Sequence, residues 1–359
     1  MNLSHIIRSI LAFGATGSLL LGCGQDSSAR KSSSAQLSSG SLASQEALTA
    51  SYSEAMDALS DSNLTANSST SLMLSAPINT QDFQKSCQAS GDKALVSISG
   101  QRSISFDRSN ARVSIEGSRT MTQKLERIWS KSGSSVACNA NGKGAAIDFE
   151  ADISGYQLEV SIDRSASRSL KVSNLKKGTS TTASAETSMK GSRSISWLSQ
   201  SVAADGAITR EKSISFSVTR SSQVLDKDGS SSSLSQIVKT VDGAPLVVSS
   251  TWDSLGKNRQ LLAKTIKQGK LHVQSASGSS YMEASFDSMA LSFSSSECSI
   301  KSGSMTASIY ESEGASASTI YKLSAIDGVI SVQNITDAEN PIDVDDFDYT
   351  PCDLKDFNY

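Results

Sequence analysis

The stretch Lys212-Ser213-Ile214-Ser215-Phe216-Ser217-Val218 alternates polar and apolar residues with a period of two. Successive side chains of a β-strand point to opposite faces. The pattern therefore predicts a strand with Ile214, Phe216 and Val218 on one face and serine on the other. The same alternation recurs on both sides of it. Upstream lie Lys93–Ser99, Arg102–Phe106, Arg112–Glu116 and Gln157–Ile162, and downstream lies Ala290–Ser294. Apolar residues are expected on one face of these strands, and Ser, Arg or Glu on the other. Serine makes up 79 of the 359 residues, and an outward strand position accounts for its abundance outside linkers.

Turn signals separate the alternating runs: Lys131-Ser132-Gly133-Ser134, Asn141-Gly142, Asp205-Gly206, Asp228-Gly229, Asp242-Gly243 and Asp327-Gly328. Asn-Gly and Asp-Gly accept positive φ and mark short hairpins. Together these features predict a mainly β body over residues 76–336. It should be a large antiparallel sheet of about 12 to 17 strands, arranged as a sandwich or half-barrel. Arg259–Gln268 is ambiguous between strand and short helix. Gly100–Phe106 matches Gly191–Trp197, Lys131–Ser135 then matches Lys227–Ser231, and Gly144–Phe149 matches Gly243–Val248. This order raises a duplication of two β units, 100–190 and 191–290, with a period too long for a solenoid.

The first 22 residues read differently. One arginine, Arg8, precedes an apolar run from Ile10 to Leu21 that is shorter than a bilayer span and broken by Gly and Ser. That is the layout of an export signal. It ends in Leu20-Leu21-Gly22-Cys23, which resembles the lipobox of bacterial lipoproteins. The resemblance covers residues 1–23. It implies cleavage before Cys23, a covalent lipid (palmitate-type acylation included) on Cys23, and membrane association through that anchor. Gly24 follows, where an Asp would imply retention in the inner membrane, so the resemblance implies the outer membrane. Residues 23–75 have the Ser/Ala/Asn-rich composition of a flexible tether. Within it, Leu48, Tyr52, Met56 and Leu59 form one apolar stripe and predict a short helix over 44–60 that docks on the body.

Removal of Arg8 with the signal leaves 32 Lys and Arg against 36 Asp and Glu. This balance points away from nucleic-acid binding, which asks for a concentrated basic surface. Four cysteines remain besides Cys23: Cys87, Cys138, Cys298 and Cys352. In an exported chain an even set predicts disulfides. Cys87–Cys138 and Cys298–Cys352 close loops of comparable length and are the favoured pairing. A zinc site finds no C-x-x-C spacing and a single histidine after cleavage.

That histidine, His272, sits in the strand-like Leu271–Ser275 and is expected to face solvent. No G-x-S-x-G elbow accompanies it. Ser173–Lys176 and Ser254–Lys257 fit S-x-x-K at the frequency that composition alone produces. There is no P-loop and no dinucleotide fingerprint. The tail, Asp337–Tyr359, holds eight acids against Lys355 alone. Asp343, Asp345, Asp346 and Asp348 offer hard oxygens that suit Ca²⁺. They depart from the EF-hand at Phe347 and at Asp348, which stands where glycine is needed. The tail reads instead as an acidic segment pinned to the body through Cys352. The terminal Tyr359 is typical of membrane-spanning barrels, but 5% aromatics undersupplies their girdles. The expectation is a non-enzymatic, tethered β-rich binding or structural module of the envelope, with no cofactor beyond its lipid. The alternatives are a carrier of lipid or another apolar ligand in a half-barrel, and a carboxylate-dependent hydrolase.

Overall fold

The computed structural model describes residues 83–343, apart from 110–112, 176, 226–229, 255–259, 276–277, 294–297 and 328. Cys23, the tether with its 44–60 stripe, and the tail beyond Asp343 (Asp345, Asp346, Asp348 and Cys352 included) lie outside the described residues.

Among the described residues fourteen strands follow one another: β1 (Phe83–Ser90), β2 (Lys93–Ser109), β3 (Val113–Lys131), β4 (Tyr156–Asn174), β5 (Thr179–Val202), β6 (Ile208–Leu225) and β7 (Ser231–Thr240). Then come β8 (Leu246–Trp252), β9 (Leu261–Ser275), β10 (Tyr281–Phe293), β11 (Cys298–Tyr310), β12 (Thr319–Ile326), β13 (Val329–Asn334) and β14 (Ile342–Asp343). All join one antiparallel sheet in chain order, except that β7 and β8 share the position between β6 and β9. Sequence neighbours pairing as sheet neighbours is the arrangement that short turns dictate. Gly91-Asp92 closes β1 on β2 through the pair Ser90↔Lys93, and Asp327, at φ 51°, opens the two-residue turn between β12 and β13.

The structure settles three local expectations. Arg259–Gln268 carries no helix where it is described, because Leu261–Gln268 is the first half of β9 and pairs with β8. Asp242-Gly243 does not reverse the chain. β7 and β8 both run antiparallel to β6 and β9, so Val241–Pro245 is an excursion between two collinear halves of one strand position. Asn141-Gly142 forms its turn inside the segment 132–155, closing the bridge Cys138↔Ala145. The two matching stretches around Gly100 and Gly191 lie in β2 and β5 of the same continuous sheet. Their third counterparts differ in form: 144–149 is not strand, whereas β8 takes in 246–248.

A single sheet leaves both faces in water unless something covers one of them. Here one face is buried from β2 to β13 in one shared cluster, from Ala94 and Val96 through Leu158, Val248 and Met305 to Val332. With no helical layer among the described residues, the sheet itself must roll so that this face covers itself. Bulges after Trp197, Val247 and Asp287 supply bending. At the bulge of β10, Gly303 of β11 passes so close that a Cβ there would lie 2.4 Å from the Met289 Cα.

The segment 132–155 lies over one end of this face. Val136 and Ile153 are buried, Phe149 meets Trp129 edge-on at 5.8 Å, and Trp129 stacks on Trp197 at 5.3 Å. A disulfide from Cys138 to Cys87 ties the segment to β1, and the Cys87 amide donates to the Gly142 carbonyl at 2.8 Å. The Cys87–Cys138 pairing is therefore present. Cys298 opens β11 at a position whose side chain is not among those described, and its pairing with Cys352 falls outside the described residues.

Candidate functional site

Strand registers place each side chain on a face. Val96, Arg127, Val160, Arg193 and Phe216 form one row across β2 to β6, all on the buried face. Two rows away, Arg164 stands between Gln123 and Met189. Further along, Arg119 and Arg168 are directly opposite each other, with Arg102 diagonal to Arg119. The buried face also carries Arg210, Lys212 and Lys264, at 4, 5 and 1% exposure.

This corrects the expectation that arginine shares the outward face with serine. Outward serine holds for Ser103, Ser161, Ser192 and Ser215, but the arginines alternate in phase with the apolar residues. The signal was in the sequence: Arg102 shares parity with Ile104 and Phe106, Arg193 with Ile195 and Trp197, and Lys212 with Ile214 and Phe216. The repeated Gly-x-Arg-Ser-Ile-Ser-aromatic motif thus sets an arginine inward in both β2 and β5.

Carboxylates obey the opposite rule. Every Asp and Glu in β2 through β10, from Asp107 to Asp287, lies on the outer face. No carboxylate of these strands shares the inner face with the arginines. Burial pushes the Arg127 guanidinium down to about 10, and the positive charge of Arg164 adds to the shift. Burial and then Arg193 lower Arg164, burial and then Arg102 lower Arg119, and burial and then Arg119 lower Arg168. Arg127 is 8% exposed, and neither its Nε nor its Nη2 has a hydrogen-bond partner; the buried Nε of Arg164 has none either. Other members are held by protein groups. Arg193 lies over the Phe216 ring at 5.6 Å. Arg210 donates from Nε to Gln200 Oε1 at 2.8 Å and from Nη2 to the Phe149 carbonyl. Buried guanidinium donors without an acceptor, as on Arg127 and Arg164, suit oxyanion recognition.

The other candidates stand apart from this face. His272 is not solvent-facing. It is on the outer face, but 15% exposed, stacked on Tyr281 at 4.7 Å with Nδ1 3.9 Å from Glu283 Oε1, and Tyr281 stacks in turn on Tyr310. Aromatic neighbours across β10 and β11 shield it, which alternation within β9 alone does not reveal. Asp343 pairs through β14 with the sheet, and its Oδ1 accepts from Gln333 Nε2 at 3.0 Å. Among the described residues no three metal-ligating side chains gather. A groove of about 550 Å³ crosses the outer face of β3 to β7, lined by serines (Ser161, Ser192, Ser215 and Ser217 among them) with Glu126, Glu159 and Lys239. Of its two glutamates, Glu159 is exposed and Glu126 is partly buried and paired with Lys124. No protein family, curated protein or solved structure matches the chain.

Proposed function

We propose that this chain is a lipid-anchored, non-enzymatic binding module of the cell envelope, held by Cys23 at the outer membrane, whose inner sheet face receives an anionic ligand. The observation that carries the reading is charge segregation: the arginines of β3 to β6, with Lys212 and Lys264, on the inner face, and every carboxylate of β2 through β10 on the other. Buried guanidinium donors without an acceptor, as on Arg127 and Arg164, cost free energy that folding alone has no reason to accept, whereas an anionic ligand offsets it. The apolar rows beside the arginines suit a ligand that is partly apolar, which keeps a lipid-type cargo within the reading. The Ser/Ala/Asn-rich composition of residues 23–75 supports a tether that holds the module away from the bilayer.

The test is native mass spectrometry of the full mature protein, extracted from its membrane in mild detergent. The expected result is a non-covalent adduct of anionic character that dissociates as ionic strength rises. Folded protein that carries no adduct, and whose melting temperature no anionic compound shifts, contradicts the reading.

A further inference from the structure

We infer that Arg127 and Arg164, reinforced by the charge of Arg193, form a binding site for a tetrahedral oxyanion of the phosphate type. The inference rests on the proposed inner-face reading and names its ligand class. Arg127 is more than nine-tenths buried, and its Nε and Nη2 point at no protein acceptor. The Nε of Arg164 is likewise buried without one. Register sets the two on adjacent strands of the same face: Arg127 opposite Val160, and Arg164 four residues further along β4.

Two guanidiniums present donors in planar forks, the geometry that oxygens of a phosphate accept bidentately. A single carboxylate would leave most of those donors unused. A dianionic phosphate monoester has three terminal oxygens and enough charge to relieve the mutual repulsion of neighbouring arginines. The row Leu125–Ile162 stands between the two arginines, with Val160 opposite Arg127; Leu125 and Val160 are buried and limit water there, which strengthens each charged contact. The chemistry is shared by a free phosphate and by the headgroup of a phospholipid, and the experiment separates them.

Full-length mature protein is titrated with inorganic phosphate, and separately with phosphatidic acid and with phosphatidylcholine in detergent micelles. Wild type, Arg127→Gln and Arg164→Gln are compared. The site predicts binding of phosphate or of phosphatidic acid, weakened at least tenfold by either substitution. Phosphatidic acid binding without inorganic phosphate assigns the site to a lipid headgroup; inorganic phosphate binding alone assigns it to a free anion. Melting temperature is the control for folding: the ligand-free variants should melt at or above wild type, since each loses a buried unpaired cation. Wild-type protein that binds neither probe, or variants that bind as wild type does, overturn the site. An adduct that persists in Arg127→Gln under native mass spectrometry would then leave the inner-face reading standing without it. Absence of any adduct removes both.

Discussion

Arg127 shows what decides the chemistry at the scale of a residue. A strand position facing a core normally takes an aliphatic side chain, and its row neighbours Val96 and Val160 are aliphatic. Replacing Arg127 by methionine keeps a long side chain and removes the charge. The ligand-free protein should gain roughly 1–3 kcal/mol, read as a higher denaturation midpoint, while anion binding falls. The pH dependence has a definite sign. Burial holds the folded-state pKa near 10, below the ordinary arginine range, so the unfolded chain keeps this proton longer. Its penalty is complete below pH 10 and diminishes above it. Comparing wild type with Arg127→Met, the gap in stability should narrow as pH rises past 10. His272 offers a second check. Its ring stacks on Tyr281, and His272→Ala should cost about 0.5–1.5 kcal/mol in thermal unfolding with anion binding unchanged. The arginine positions were legible in principle from parity with Ile and Phe. The environment of His272 was not, because its shield comes from other strands.

Strands were the most legible elements, since period-two alternation and burial of one face are the same fact. Alternation cannot say whether a turn reverses the chain, which is why Asp242-Gly243 resembles a hairpin and yet interrupts one strand position. Close strand approach is also silent in the pattern. A Cβ on Gly191 would sit 2.1 Å from the Ser217 carbonyl oxygen and 2.7 Å from the Val218 Cα. Gly191→Ala should therefore destabilise by about 3 kcal/mol, the upper range for overpacking, measured by denaturant midpoint. The covering segment 132–155 depends on its bridge. Cys87 and Cys138 are 51 residues apart, so the chain-entropy contribution is about 4 kcal/mol. Cys138→Ser should lower the melting temperature by that equivalent. It should also raise hydrogen exchange at the amides of 136–146, the Ala146 amide that donates to Ala137 among them. Unchanged exchange there would show that packing on Trp129 holds the segment without the bridge.

At the scale of the whole molecule, an all-β body and an antiparallel sheet follow from turns and alternation spread along the chain. The roll does not, because what covers a sheet face is a long-range property that no local window contains. The roll gives Arg127 and Arg164 their meaning: on an open sheet they would be hydrated and ordinary, and within a shared core their buried donors are left without an acceptor. The measurement closest to this claim is side-chain nuclear magnetic resonance of the ¹⁵N-labelled mature protein, observing arginine Nε–H groups during titration with the anion. The account predicts that the Arg127 and Arg164 signals, assigned by Arg127→Gln and Arg164→Gln, are slow to exchange with water and move saturably with added anion. Arginine signals outside the cluster should drift only with ionic strength. Fast exchange at Arg127, or an Arg127 signal that no anion moves, would contradict it.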